Sequence, residues 1–326
     1  MLSSRPVFAV VARALVCGLA MVSTARASGA LKEIRIDWAT YNPVSMVLKE
    51  RGLLEKAFGK DEISIVWVQT LGSNKALEFL NAGSIDFGST AGSAALLGRI
   101  NGNPITSIYV YSRPEWTALV TTKDSAIAKI ADLKGKRVAV TRGTDPHIFL
   151  VRALQSVGMR EADITPVLLQ HPDGKTALIR GDVEAWAGLD PMMAQAELQD
   201  GARLFYRNAA ANTWGILNVR EEFAREHPDV VRRVLAIYEE ARSFSLDNYG
   251  ELKRVFMAAT KLPESVVDKQ LKERTDLTHG KIGAPQRESI LAAGLALQQA
   301  GVIAANVDVK AAVDGLIDPS FLATEK

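Results

Sequence analysis

VAVTRGTDPHIFLVRAL, residues Val138 to Leu154, joins an apolar run to an amphipathic one through a polar turn. The first part has the composition of a buried strand and the last part the spacing of a helix. A strand that feeds a helix through so short a turn is half of a βαβ unit, so the segment argues for an α/β fold. A helix start exposes backbone N–H groups and a partial positive charge, and such a junction suits an anion. Asp145 could also fill that place itself.

The same strand, turn and helix order recurs along the chain. IRIDWA (Ile34 to Ala39), ISIVWVQT (Ile63 to Thr70) and IDFG (Ile85 to Gly88) are apolar runs. Each runs into a turn rich in Ser, Thr, Asn or Gly and then into a helical period. A second unit begins near Thr117 with TALVTT, RVAVT, LLQH and VEAWAGL. After NTWGILNV (Asn212 to Val219) the chain turns mostly helical, which predicts that the C-terminal helices pack back on the first unit. The whole reads as two α/β lobes: residues 28–117 with 220–326, and residues 118–219. A length of 326 residues fits about two domains.

Bulk composition narrows the class. With 48% hydrophobic and 23% charged residues the chain is globular. The apolar run Val7 to Val22 is broken by Arg13 and falls short of the ~20 residues of a spanning helix. Ala25-Arg26-Ala27 follows it in the small-x-small pattern of a cleavage site, so residues 1–27 are expected to be an export signal. Removing their three arginines takes the formal charge from +2 to −1. Such a mature chain has no basic surface for nucleic acid. Cys17, the sole cysteine, would leave with the signal; it lacks the preceding small residue that favours lipidation. No thiolate metal site or disulfide is then available.

The turns carry the candidate chemistry. Thr40-Tyr41-Asn42, Gly72-Ser73-Asn74, Ser89-Thr90 and Gly143-Thr144-Asp145 lie where strands meet helices. Each is also a good N-cap, worth ~1 kcal/mol. Together they fall where ligands bind in open α/β sheets, outside the carboxyl ends of the strands. A pocket there is polar and holds few charges. His147, His171, His227 and His279 are scattered without ligand spacing, so no metal is expected. The runs Lys134-Gly135-Lys136-Arg137 and Arg232-Arg233 read as solvated faces. No nucleophile elbow, dinucleotide fingerprint or phosphate loop is present.

GSIDFGSTAGSAALL, ADLKGKRVAVTRGTDPHIFLVRAL and GDVEAWAGLDP resemble the signature segments of the substrate-binding proteins of nitrate, sulfonate and taurine ABC importers. The aliphatic-sulfonate binders are the nearest branch. The likeness spans nearly the whole mature chain. It implies a two-lobed, type II periplasmic binding protein fold, each lobe a mixed sheet flanked by helices, with a hinge between. It also implies a small organic anion as ligand, an alkanesulfonate first. Taurine, nitrate, a sulfate ester and a thiamine-pyrimidine precursor are the alternatives. The partners would be a membrane permease and its ATPase, and the protein would be a periplasmic monomer with no cofactor and no catalysis. An enzyme branch on this fold carries a cysteine-rich motif, which the mature chain lacks.

Carried onto this chain, the family's ligand contacts are Tyr41, Asn42, Ser73, Ser89, Thr90, Gly143, Thr144, His147, Trp186 and Asp190. Asp145-Pro146 departs from the family's Ser-rich turn, and Leu189 and Met192-Met193 replace aromatics around Asp190-Pro191. Asp145 has two readings at this point: a cap at the start of its helix with Pro146 at the first turn, or a cleft carboxylate that selects the ligand. His147 is either structural or a donor to the anion. Trp186 fits core and cleft wall equally.

Overall fold

The structure is a computed structural model that describes residues 31–322. The expected export signal and Cys17 lie outside the described residues. Strands are β1 (Glu33–Trp38), β2 (Ser64–Gln69), β3 (Phe87–Ala91), β4 (Ile105–Pro114), β5 (Leu119–Thr121), β6 (Arg137–Val140), β7 (Thr165–Leu168), β8 (Ala185–Ala187), β9 (Arg203–Tyr206), β10 (Gly215–Arg220) and β11 (Thr275–Asp276). Helices are α1 (Pro43–Glu50), α2 (Leu53–Phe58), α3 (Ser73–Asn81), α4 (Gly92–Ile100), α5 (Asp145–Ser156), α6 (His171–Arg180) and α7 (Met192–Gln199). The C-terminal helices are α8 (Glu221–Glu226), α9 (Pro228–Asp247), α10 (Tyr249–Thr260), α11 (Glu264–Asp268), α12 (Ala284–Gln299) and α13 (Val309–Leu316).

Two mixed sheets organise these elements. The first has the order β11-β4-β10-β3-β1-β2 and the second β7-β6-β8-β5-β9. Strands β1, β2 and β3 run parallel, and β10 inserts antiparallel between β3 and β4. The chain crosses from the first lobe to the second between Pro114 and Leu119, and returns between Tyr206 and Gly215. The lobe boundary expected at residue 219 therefore falls inside β10, a strand whose hydrogen bonds all go to the first sheet.

Pattern and packing agree in detail. Ile34 and Ile36 of β1 are fully buried, and the core of the first lobe continues through Val44, Leu48, Leu54 and Phe87 to Val234, Leu235 and Tyr238 of α9. The C-terminal helices thus cover the first sheet. In the second lobe Leu119, Val138, Val140, Phe149, Leu150 and Leu154 form one cluster. Helix α5 also sends Ile148 and Val151 into a cluster of the first lobe with Leu96, Trp214, Ile290 and Leu297. The lobes are pressed together through apolar as well as polar contacts.

Candidate functional site

Two helix starts, one from each lobe, face each other. Helix α3 begins at Ser73 after Gly72, and α5 begins at Asp145 after Thr144. Neither uses its capping residue's side chain to bond its own first turn. The first turns of both helices hold N–H groups with no intrahelical acceptor. Gly143, at φ +78, makes the tight turn before α5, a conformation strained for any residue with a side chain. Its backbone lies against Asn74 of α3, across the lobe boundary.

Between these ends lies a cavity of about 10 Å3 lined by Tyr41, Gly72, Ser73, Trp116, Thr144, Asp145, Pro146, His171 and Leu189. That is room for one water at most. The lobes are shut. A larger recess of about 760 Å3 opens on the outer face of the first lobe, near Arg232, Glu239, Arg242 and Phe321. Arg242 there is paired with Glu239, and every lining residue belongs to the first lobe, so the small inter-lobe cavity is the better site.

Lobe I supplies its wall through a buried carboxylate that sequence reading missed. Asp37 accepts from Ser89 N at 2.9 Å, Ser89 Oγ at 2.7 Å and Thr70 Oγ1 at 2.8 Å. Burial pushes its carboxyl up to about 6, against the pull of those donors. Ser89 Oγ in turn accepts from Asn42 Nδ2 at 2.8 Å, and Asn42 Nδ2 also reaches Tyr238 Oη at 2.8 Å. Tyr41 Oη sits 2.9 Å from Thr70 Oγ1 and donates to Ser89 O at 3.1 Å. Its ring meets Trp116 edge to face, centroids 6.1 Å apart. The signal in the sequence was a lone acid in the apolar run IRIDWA.

Several expected contacts have other partners. Ser89 and Thr90 lie within β3 rather than in the turn after it, and both are fully buried. Thr90 Oγ1 accepts from Asn218 Nδ2 at 2.8 Å. Asn42 caps α1 by accepting from Ser45 N at 3.2 Å. Ser73 Oγ accepts from Ala91 N at 3.0 Å, and Thr144 Oγ1 donates to Thr141 O at 2.6 Å. His147 points away from the cavity, its Nε2 3.5 Å from Glu161 Oε2, a contact that draws the Glu161 carboxyl below its ordinary range. Trp186 is fully buried among Val120, Ala139 and Leu178, in the core of the second lobe. Of the expected set, Tyr41, Ser73, Thr144 and Asp145 line the cavity.

Asp145 neither caps α5 nor offers a free carboxylate to a ligand. Its Oδ1 accepts from Ser93 Oγ at 2.6 Å and Thr213 Oγ1 at 2.7 Å, and its Oδ2 from Trp116 Nε1 at 2.8 Å and Thr213 N at 3.0 Å. Ser93 belongs to α4 of the first lobe; Trp116 and Thr213 belong to the two crossings. Asp145 is a latch. Asp190 makes a second tie, as an ion pair with Arg274 Nη1 at 3.1 Å, while Arg274 Nη2 pairs with Glu197. Burial raises the Asp190 carboxyl to about 6 despite Arg274. Asp190 precedes Pro191 through a cis peptide bond.

His171 is the residue that sequence reading placed at a strand end without a role. It opens α6, is fully buried, and lines the cavity. Burial lowers its imidazole to about 3, so the ring is neutral. Its Nδ1 lies 3.2 Å from Thr141 Oγ1, and its Nε2 has no partner among the described residues. No Lys or Arg lines the cavity. Helix ends and neutral donors are the groups this lining offers to an anion. Among the described residues no cluster of His, Cys, Asp and Glu could hold a metal.

Two mixed-sheet lobes, two crossings and a cavity between opposed helix starts define the fold of the periplasmic binding proteins. The chain matches the model of the family described as NMT1/THI5 like over residues 56–250. It belongs to that family. It is 30% identical over 271 residues to an Escherichia coli (strain K12) protein named "Putative aliphatic sulfonates-binding protein", covering 82% of this chain and 84% of that one. Among solved structures, the alkanesulfonate-binding protein SsuA from Xanthomonas axonopodis pv. citri bound to MOPS superimposes with a TM-score of 0.80 at 24% identity, over 91% of this chain and 100% of that chain. The periplasmic aliphatic sulphonate binding protein SsuA from Escherichia coli gives a TM-score of 0.72 at 27% identity, over 86% of this chain and 91% of that chain. No described helix is long and apolar enough to cross a membrane.

Proposed function

We propose that this chain is the periplasmic solute-binding component of an ABC importer and that it captures a small sulfonate between its lobes. The observation that carries the reading is the meeting of the α3 and α5 starts, one from each lobe, over a cavity walled by Tyr41, Trp116 and Leu189. Helix ends suit a singly charged acid group, and the aromatic and aliphatic wall suits a short organic tail. The names of the relatives point the same way.

The mechanism follows from the geometry. The shut cavity admits no organic ligand, so capture begins with the lobes parting at the two crossings. Ligand then bridges the helix starts, and closure removes water from around it. A micromolar affinity needs about −8 kcal/mol. Neutral hydrogen bonds at ~1 kcal/mol each supply only part, and burial of the tail and the helix-end charge supply the rest. The loaded form would go to a permease with its ATPase, and the protein would act as a monomer without catalysis. Tyr41, Ser73 and Thr144 are the ligand contacts in this reading; Asn42, Ser89 and Thr90 position them.

A thermal-shift screen of the protein without its first 27 residues tests the reading. Short sulfonates at about 100 times their dissociation constant are expected to stabilise by ~2.7 kcal/mol. A response confined to nitrate, to a pyrimidine or to nothing overturns the sulfonate assignment. Ligand recovered chemically altered overturns the binder assignment.

A further inference from the structure

We infer that His171 is a specificity-determining residue of the cleft: its ring is locked in one tautomer so that Nε2 accepts, and it reads a hydrogen-bond donor carried by the ligand. The inference rests on the sulfonate-binding reading above and narrows it to sulfonates that bear a hydroxyl or amino group near the acid.

The lock comes from Thr141. A hydroxyl has one hydrogen, and Thr141 Oγ1 donates it to Leu169 O at 2.7 Å, an oxygen that can only accept. The contact of Thr141 Oγ1 with His171 Nδ1 at 3.2 Å is therefore a bond in which Nδ1–H donates. A neutral imidazole carries one N–H, so Nε2 is left with a lone pair. Burial keeps the ring neutral.

That lone pair lies toward Gly72 on the cavity wall, and no described residue satisfies it. His171 is 0% exposed and its Nε2 has no partner among the described residues. A Cβ placed on Gly72 would stand 3.2 Å from Nε2 and 2.9 Å from Asn74 Oδ1, a second acceptor without a partner. Two bare acceptors thus converge on the glycine that precedes α3. The carboxylate on the cavity wall, Asp145, turns both oxygens to Ser93, Trp116 and Thr213. A sulfonate oxygen placed against Nε2 would set lone pair against lone pair. The complement of this corner is an N–H or O–H, with the acid group on the helix ends and the donor one or two carbons away. Sites built around a buried polar group discriminate strongly against a ligand that leaves it bare.

Two probes of equal charge and nearly equal size isolate the effect: 2-hydroxyethanesulfonate and propane-1-sulfonate, in which a methyl stands where the hydroxyl was. Calorimetric titration of the wild-type protein is expected to give roughly 10-fold or greater preference for the hydroxyl compound. His171→Leu should bind the two within a factor of about two. Thr141→Val keeps the ring and removes the lock, and the preference should shrink there as well. Nitrogen-15 spectra of the imidazole should report hydrogen on Nδ1 alone, with and without ligand. Equal wild-type affinities, a preference that survives in His171→Leu, or a ring protonated on Nε2 in the complex would each overturn the inference. Failure of both sulfonates to bind would instead remove the functional reading on which it rests, while the spectra still decide the tautomer.

Discussion

Asp37 and Asp145 are both buried, at 0% and 2% exposure, and both are satisfied by neutral donors, hydroxyls and backbone N–H groups with an indole N–H added at Asp145, rather than by a cation. They differ in where the donors come from. Every donor to Asp37 lies in its own lobe, on Thr70 and Ser89. The donors to Asp145 lie outside its lobe's sheet, on α4 and on the two crossings. The same chemistry therefore does two jobs: Asp37 stiffens one wall of the cleft, and Asp145 ties one wall to the other. Burial and bond count alone would not separate them.

Asp37→Ala is expected to have the largest effect. It strips the acceptor from three buried donors that all lie in its own lobe. At ~1–3 kcal/mol for each bare group the loss of unfolding free energy should reach at least 3 kcal/mol by urea titration. A loss under 1 kcal/mol would mean that water serves these donors and that the carboxylate is no keystone of the wall.

Acidity probes the same contrast. The folded-state carboxyls of Asp37 and Asp190 stand near 6, above the unfolded value near 4, so the folded protein binds more protons between those limits. Their contribution to stability is present at low pH and is lost as pH rises from about 4 to about 6. Two groups displaced by about two units correspond to a few kcal/mol, in order of magnitude. His171, whose buried imidazole is lowered to about 3, works the other way, adding stability as pH rises toward the ordinary histidine value. The check is therefore a difference: Asp37→Asn should lose less unfolding free energy, or gain more, from pH 5 to pH 7 than the wild-type protein does, and parallel pH profiles for the two would refute the assignment.

Asp145→Ala should cost less stability, about 1 kcal/mol, because Ser93, Trp116 and Thr213 can meet water once the lobes separate. Its effect belongs to shape. Small-angle scattering should give a larger radius of gyration than wild type without ligand, and the difference should shrink on adding a bound sulfonate. An unchanged radius would place the tie elsewhere, with Arg274 the next position to remove. The smallest effect on the ligand site is expected from Trp186→Phe. The indole Nε1 has no partner among the described residues and the ring lies in the core of the second lobe, so the smaller ring forfeits packing but no hydrogen bond and should leave affinity within twofold. A tenfold loss of affinity would return Trp186 to the cleft wall.

Much of the architecture was legible because strands and helices alternate with distinct periods from Ile34 to Val219. The C-terminal helices were placed over the first lobe from order alone, and α9 packs there. Strand β4, ten residues rich in Ile, Val and Tyr, went unread, as did β9, although β4 carries the β-branched and aromatic residues that favour strands. The site was less legible. Ser, Thr and Asn at strand ends serve as caps, strand hydroxyls or ligand contacts with no local difference in sequence. Thr90 is assigned by Asn218, 128 residues away, and Asp145 by Thr213, 68 residues away. His171 was read as the end of a strand, where Pro172 at the second position marks it as a helix start instead. Tertiary partners, not composition, decided these roles.

The cavity of about 10 Å3 has a consequence for recognition from outside. A solute the size of 2-hydroxyethanesulfonate cannot occupy it at the lobe spacing seen here, so a laden molecule is a slightly thicker one. The spacing of the lobe rims then follows the size of what lies between them. A docking platform that measures that gap would read cargo size from outside, without touching the cargo.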